Sequence, residues 1–256
     1  MDFQRLVREE RARRKQEKAA ASDPPAPPQS SAAANSTSQD AITTTPLRVW
    51  TKRSELEREP FAVGGIAGVY YVPEWLSEDE EQAILERVYA VPDDNSVWVK
   101  LKHRRLQMWG GDVKAPFRAE PLPAWLLQIV QALVDAKVFC EAQRPNHALI
   151  NEYGVGEGIL PHEDGPSYFP LVAIVSTGAE STVTFEPHRR WLESASKNSD
   201  GAAGDENALS SGRRSFRLAR RSLLLFTGDA YTKYLHSIDG VEAGKRVSLT
   251  IRHVSL

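Results

Sequence analysis

The stretch Arg246-Val247-Ser248-Leu249-Thr250-Ile251-Arg252 alternates polar and apolar side chains at every position. Because successive side chains of a β-strand point to opposite faces of the sheet, this pattern predicts a strand with one apolar and one polar face. The three aliphatic residues are expected to fill a core, while Arg246 and Arg252 share the other face with Ser248 and Thr250. The sequence therefore predicts a half-buried strand that turns two arginines away from its core.

Other short β-type runs, separated by glycine and proline, precede this strand from Asn146 onward. The predicted strands are residues 148–153, 171–176, 181–185, 222–226 and 247–254. Short strands with turn signals between them, and no helical segments of comparable length, favour an antiparallel double sheet. We therefore expect a mostly β fold with flanking helices, built around a jelly-roll core, also called a double-stranded β-helix.

Two helices are predicted ahead of these strands. Ser77 followed three residues later by Glu80 is a capping box in front of apolar residues at helical spacing. A second apolar stripe, with the helical period of about 3.6 residues, follows Pro123 over residues 125–134. A β-type run at 66–71 comes before both. The predicted helices thus come early in the chain and most predicted strands come late.

Composition divides the chain of 256 residues into segments. Residues 1–18 carry seven Arg and Lys against four Asp and Glu, which predicts a short basic helix that a partner could bind. Residues 19–46 hold too few apolar side chains to offset the entropy of ordering, so a disordered linker is predicted. Residues 47–256 are long enough to bury one core and are predicted to form a single domain, with a mobile loop insert at 192–215.

Charge and cysteine content limit the classes of function. The formal net charge is −2, so no global field draws the protein to polyanions and any nucleic-acid surface must be local. The single cysteine, Cys140, cannot form an internal disulfide and is expected to be a buried structural thiol in a reducing compartment. No signal peptide opens the chain, and no apolar run approaches the roughly 20 residues of a spanning helix. We expect a soluble monomer of the nucleus and cytoplasm, without a membrane partner.

Three residues that lie apart in the sequence can form a metal site. His162 and Asp164 are two residues apart, which on an extended strand places both side chains on one face. His236 follows the apolar run at 223–226, where a returning strand could bring it beside His162. Two histidines and one carboxylate leave about half of an octahedron open, which is the ligand arrangement of non-heme Fe(II) oxygenases.

The two arginines of the C-terminal strand add a second requirement. Arginines that point inward from an apolar strand are costly unless each is paired with an anion. A dicarboxylate supplies two such anions, and the guanidinium group suits bidentate carboxylate contact. Structural salt bridges are the alternative explanation for Arg246 and Arg252.

Together these residues resemble the AlkB family of Fe(II)- and 2-oxoglutarate-dependent dioxygenases, in particular the branch of its sixth eukaryotic homologue. The resemblance covers about residues 65–256 and rests on the segments 69–73, 105–111, 146–147, 156–159, 161–166 and 247–252. It implies the jelly-roll core of that oxygenase type. The implied catalytic iron ligands are His162, Asp164 and His236, and the implied 2-oxoglutarate-binding residues are Asn151, Tyr153, Arg246 and Arg252.

The same resemblance implies a reaction. Fe(II) would use 2-oxoglutarate and O2 as cosubstrates, producing succinate and CO2 while an N-methyl carbon is hydroxylated and then leaves as formaldehyde. The protein would place the methyl group close to the oxidant and keep water away.

A basic and aromatic segment at 93–118 suggests the substrate. Basic side chains can meet phosphates while an aromatic ring stacks on an unpaired base, and in the resembled family this region forms a nucleotide-recognition lid. The substrate-binding residues would be Trp98, Lys100, Lys102, Arg104, Arg105 and Trp109. A nucleic-acid partner, RNA or single-stranded DNA, is therefore favoured. The alternative is a solvated hairpin whose tryptophans pack on the sheet.

Three other functions remain open from the sequence. The same chemistry could act on a protein side chain, although the basic segment argues against it. A reader of modified RNA could keep the fold without turnover, although the metal and cosubstrate residues are intact. A metal-dependent hydrolase of the cupin type would leave Arg246 and Arg252 without a purpose.

Overall fold

The computed structural model describes residues 44–191 and 212–256. The predicted basic helix at 1–18, the linker up to residue 43 and the insert from 192 to 211 lie outside the described residues. Among the described residues, no helix has both the length and the apolar character needed to cross a lipid bilayer.

Most of the regular structure in these two ranges is β structure, as predicted. The strands are β1 (Val69–Val72), β2 (Trp98–Leu101), β3 (Arg104–Trp109), β4 (His147–Tyr153), β5 (Ile159–His162), β6 (Leu171–Gly178), β7 (Ser181–Pro187), β8 (Arg214–Leu218), β9 (Leu223–Thr227), β10 (Tyr234–Ile238) and β11 (Arg246–Arg252). The helices are α1 (Glu78–Tyr89), α2 (Ala124–Asp135) and α3 (Asp229–Thr232), and short 3-10 turns lie at Glu59–Phe61 and Glu141–Gln143.

The strands form two antiparallel sheets that pack face to face. The larger sheet has the order β1-β9-β6-β11-β4-β3-β2, and the smaller has the order β5-β10-β7-β8. Apolar side chains from both sheets meet between them, as where the Phe185 ring on β7 lies 5.5 Å from the Phe226 ring on β9. This pair of packed sheets confirms the predicted jelly-roll core.

Strand β11 lies at the centre of the larger sheet, between β6 and β4. Its aliphatic residues Val247, Leu249 and Ile251 are buried in a core that also contains apolar side chains of α1 and α2. Its polar residues face the space between the two sheets and line a cavity there. The predicted division of this strand into an apolar and a polar face is therefore confirmed.

The first helix begins where the capping box predicts. The Ser77 hydroxyl accepts a hydrogen bond from the Glu80 backbone N–H (3.1 Å), and the Glu80 carboxylate accepts one from the Ser77 N–H (2.9 Å). These two bonds satisfy amide groups that have no partner within the helix. Glu80 is otherwise buried, and Arg53 neutralises it through an ion pair of 2.6 Å.

Apolar patterns in the sequence do not predict β5 and β8, and β10 is expected only as the returning strand that carries His236. Strand β5 contains Pro161, which removes a backbone donor and is tolerated because β5 is an edge strand. Strand β8 is also at an edge and is largely solvent-exposed, so it lacks a clear apolar alternation. Because β8 begins at Arg214, the boundary of the predicted insert at residue 215 is wrong.

The expectation of a buried thiol is also wrong. Cys140 is exposed, immediately before the 3-10 turn at Glu141–Gln143, and its sulfur contacts the Gln143 side-chain oxygen. Burial continues past α2 through Val138 and Phe139 and ends at this residue.

Candidate active site

A cavity of about 610 Å3 opens between the inner faces of the two sheets. Its volume falls in the range of small-molecule sites. The polar and charged lining includes Arg104, Asn151, Tyr153, His162, Asp164, His236, Arg246, Ser248 and Arg252. The cavity thus brings together all seven residues predicted to hold a metal or a dicarboxylate.

The two histidines come from neighbouring strands of the smaller sheet. His162 ends β5 and His236 lies in β10, and their Cα atoms are direct register partners. The ring centroids are 4.3 Å apart. Asp164 joins them, and one ligand atom from each of the three side chains lies within 4.8 Å of the others. The structure confirms that a returning strand, β10, brings His236 beside His162.

Asp164 does not lie on a strand with His162, contrary to the prediction. Strand β5 ends at His162, so Asp164 lies in the following loop and does not share a strand face with it. Two contacts hold this loop. The Tyr231 hydroxyl donates to the Gly165 carbonyl oxygen (2.7 Å), and Arg252 Nη1 donates to Asp164 Oδ1 (2.5 Å).

The donor set suits a divalent metal. His162 Nδ1 lies 2.9 Å from the Leu160 carbonyl oxygen, which can only accept, so this nitrogen carries the proton and Nε2 keeps a lone pair for a metal. Burial lowers the pKa of His162 and lowers that of His236 to about 3, so both rings are neutral near pH 7. Asp164 Oδ2 is buried without a hydrogen-bond partner.

Asp164 is held in its ionised form. Burial alone would raise the pKa of this carboxyl, but Arg252 and the nearby His236 lower it, and the net effect is a pKa below the ordinary value. Metal ligands must be deprotonated, so the described residues offer two neutral imidazoles and one carboxylate.

Arg246 lies on the same cavity wall and has no anion beside it. The side chain is fully buried, and Nη2 donates to Ser176 Oγ at 3.1 Å. Its Nε and Nη1 atoms have no partner, and no carboxylate of residues 44–191 or 212–256 forms an ion pair with it. Burial therefore lowers the pKa of Arg246. A structural salt bridge does not explain this arginine, whereas a bound carboxylate would.

Arg252 is placed differently. It forms an ion pair with Asp164, and its guanidinium carbon lies 3.9 Å from the centre of the Tyr168 ring. Its Nε and Nη2 atoms are buried without a partner. Arg252 thus orients the carboxylate of the metal triad and still has two donors for an anion.

Comparison with known proteins decides the family. A family model described as the 2OG-Fe(II) oxygenase superfamily matches residues 94–252. The chain belongs to this superfamily. It is also 36% identical over 210 residues to a Danio rerio protein described as "Probable RNA/DNA demethylase ALKBH6", with 73% of this chain and 85% of that protein covered.

Two further similarities agree with an AlkB-family oxygenase. An Arabidopsis thaliana protein described as "Alkylated DNA repair protein ALKBH8 homolog" is 26% identical over 211 residues, which cover 74% of this chain and 59% of that protein. The solved structure titled "The structure of OsALKBH1" matches with a TM-score of 0.50 and 13% identity, covering 73% of this chain and 98% of that chain. The structural match supports the fold, and the sequence match confirms the resemblance to the AlkB family.

The central part of the predicted nucleotide-recognition lid, residues 93–118, belongs to the larger sheet. Strands β2 and β3 form a hairpin that pairs with β4. Trp98 is only 2% exposed, and its indole N–H donates to the Val91 carbonyl oxygen at 3.1 Å. Trp109 also packs against the core and donates to the Gln107 side chain. Neither ring lines the cavity, so the structure does not support these two tryptophans as base-stacking residues, and their packing favours the alternative of a hairpin whose tryptophans pack on the sheet.

Strand alternation explains which basic residues reach the cavity. Arg105 points to the helix-covered face, where it pairs with Glu152 (2.8 Å) and lies 4.1 Å over the Trp98 ring. Its neighbour Arg104 points to the other face, lines the cavity and donates from Nε to Asn151 Oδ1 at 3.1 Å. Arg105 is consequently not a substrate contact, and Arg104 is in place to be one.

The two lysines of the segment do not line the cavity. Lys100 and Lys102 are both exposed, on β2 and in the turn of the hairpin. The cavity rim instead includes the exposed Lys114. Sequence reasoning misses Ser176 and Tyr231 as well, because a single hydroxyl that holds another functional residue has no pattern of its own.

Proposed function

We propose that this oxygenase uses Fe(II), 2-oxoglutarate and O2 to demethylate N-methylated bases of nucleic acid, with RNA or single-stranded DNA as the favoured substrate. One observation carries the proposal: the open triad of His162, Asp164 and His236 shares one cavity with the buried Arg246, which has no carboxylate partner among the described residues. A metal bound by the triad would keep open coordination positions, and a carboxylate anion bound there would also pair with Arg246. The relatives described as a probable RNA/DNA demethylase and an alkylated DNA repair protein homolog support nucleic acid as the substrate class.

In this proposal the triad holds the iron, and the wall that carries Arg246 holds the cosubstrate. Tyr153, whose ring centre lies 5.5 Å from the Arg246 guanidinium carbon, and Asn151 complete that wall. With Fe(II) held there, O2 would be the oxidant of two groups: 2-oxoglutarate would lose CO2 and become succinate, and the N-methyl carbon would be hydroxylated and leave as formaldehyde.

The residues of the chain supply position and a dry environment. Phe185 and Phe226 pack against His236 with ring centroids 6.2 and 4.8 Å away, which keeps this ligand in place and keeps water from behind it. Arg252 holds Asp164 so that its free oxygen points to the metal position. A base inserted through the cavity mouth would place its methyl group beside the open metal sites.

The test is an anaerobic Fe(II) titration with 2-oxoglutarate, followed by oxygen. A metal-to-ligand charge-transfer absorption band is expected when both are bound. Admission of oxygen in the presence of single-stranded oligonucleotides with methylated bases should then yield formaldehyde and the demethylated base by mass spectrometry. Absence of the absorption band would refute the metal and cosubstrate assignment. A normal band with succinate formation, but no change in any oligonucleotide, would refute the substrate class alone.

Other expectations from the sequence stay predictions. They are a monomeric state, a location in the nucleus and cytoplasm, and a partner for residues 1–18.

A further inference from the structure

The charges that line the cavity do not balance. Among the described residues that line it, four side chains are cationic, Arg104, Lys114, Arg246 and Arg252, and two are carboxylates, Asp164 and Glu163. Glu163 is half exposed and pairs outward with Arg190 at 2.8 Å. Ferrous iron and 2-oxoglutarate carry equal and opposite charges, so their binding leaves the excess of positive charge unchanged.

Arg104 contributes one of these positive charges to the cavity wall. It is 8% exposed on the cavity face of β3, and its Nε donates to Asn151 Oδ1. Arg104 lines the same cavity as the metal triad of His162, Asp164 and His236. Asn151 and Tyr153 lie on the neighbouring strand and also line this cavity, so Arg104 lies beside the proposed cosubstrate wall.

A guanidinium group selects by charge and by hydrogen-bond polarity. It has only donors, so it matches a carbonyl oxygen and opposes an amino group at the same position. It also repels a cation, and this repulsion is stronger in a cavity than in water because the local dielectric constant is lower. Methylation at a ring nitrogen leaves some bases neutral and makes others cationic at neutral pH.

From this arrangement we infer that the cavity accepts neutral methylated bases with a carbonyl edge and discriminates against cationic ones, with Arg104 as the specificity-determining residue. The inference rests on the proposed function and names the substrate subclass. N3-methyluracil and N1-methylguanine belong to the accepted class. N3-methylcytosine and N1-methyladenine, which carry a positive charge and an amino group at the matching position, belong to the rejected class.

Binding measurements on one pyrimidine pair and one purine pair test this directly. The full chain is loaded with Ni(II) and N-oxalylglycine, which allow binding without turnover, and four single-stranded RNA hexamers differ only in the methylated base. Fluorescence anisotropy should give at least about tenfold tighter binding for N3-methyluracil than for N3-methylcytosine, and the same direction for the purine pair. Arg104→Gln should reduce the ratio to roughly threefold or less because one cavity charge is removed.

The matched control is Lys102→Gln. It removes one positive charge from the same hairpin at an exposed position outside the cavity, so the ratio should stay at its wild-type value. Arg104→Lys retains the charge and should keep most of the discrimination against the cationic base. Circular dichroism melting of each variant verifies that the fold is retained.

The outcomes separate the two proposals. Equal binding within each pair, or a preference for the cationic base, would overturn the charge selection while leaving demethylation of nucleic acid intact. If the ratio of affinities for the neutral and the cationic base is unchanged in Arg104→Gln, Arg104 does not determine the specificity. If all four hexamers bind no better than the unmethylated hexamer, the nucleic-acid substrate itself is wrong and the selectivity falls with it.

Discussion

The two faces of the larger sheet are built from the same strands but treat charge in opposite ways. On the face covered by α1 and α2, buried charged groups are compensated, as Glu152 is by Arg105. On the face toward the smaller sheet, Arg246 is buried with no carboxylate partner among the described residues, and Asp164, which faces it from the loop after β5, has an oxygen with no hydrogen-bond partner in the same ranges. An uncompensated buried charge costs free energy in the empty protein. We infer from this difference that the charges on the helix-covered face stabilise the fold, whereas those on the cavity face are compensated by a bound metal and anion.

The largest effect is expected from the metal triad. Asp164→Ala removes the only carboxylate of the triad and should abolish Fe(II) binding, because two imidazoles alone do not complete the metal face. Isothermal titration with Fe(II) under anaerobic conditions measures this. Glu163→Ala is the matched control, since this neighbouring carboxylate pairs outward with Arg190. Retained Fe(II) affinity in Asp164→Ala would contradict the assignment.

Arg246 provides the sharpest test of the comparison itself. Arg246→Met should weaken 2-oxoglutarate binding about a hundredfold, through the loss of charged hydrogen bonds worth about 3 kcal/mol in total. Metal affinity should be unchanged. The melting temperature of the empty protein should stay the same or rise, because a buried charge without an anion disappears.

The corresponding substitution on the helix-covered face should affect the melting temperature and not 2-oxoglutarate binding. Arg105→Met breaks the ion pair with Glu152, so it should lower the melting temperature while leaving 2-oxoglutarate affinity at the wild-type value. If Arg246→Met lowers the melting temperature as much as Arg105→Met does, the two faces do not differ in the way described.

Side-chain packing on the helix-covered face of β11 should contribute more to the free energy of unfolding than packing on its cavity face. Leu249→Ala opens a cavity in the helix-covered core and should cost about 2–5 kcal/mol of the free energy of unfolding. Thr250→Ala, one residue on and facing the cavity, should cost about 1 kcal/mol or less. Urea denaturation followed by tryptophan fluorescence compares them, and equal losses would contradict the assignment of faces.

The smallest effect concerns the cap of α1. Glu80→Gln should lower the free energy of unfolding by about 1 kcal/mol at pH 7. Burial would raise the pKa of Glu80, but Arg53 and two backbone N–H groups lower it below the ordinary 4.5. The ionised group therefore stabilises the fold above about pH 4.5, and this contribution is lost as the pH falls through the lower folded-state pKa. The difference between wild type and variant should shrink on acidification below pH 4.5, and a constant difference would argue against the ion pair.

Local patterns in the sequence predict a large part of the fold. The alternation in β11 requires only that strand side chains alternate, and the capping box of Ser77 and Glu80 is complete within four residues. The edge strands β5 and β8 escape prediction because the first contains a proline and the second is mostly exposed. Their position is set by pairing with distant strands, which no local pattern records.

The sequence by itself determined the residue types of the site, since two histidines, one aspartate and two arginines in this order match one family of metal chemistry. Only the tertiary structure decided which of two adjacent arginines lines the cavity. Arg104 and Arg105 are equivalent in composition and spacing, yet strand pairing sends one into the cavity and the other toward Glu152. The physical reason is that the register of β3 against β4 assigns each side chain to a face, and register depends on contacts between segments that are far apart in the chain.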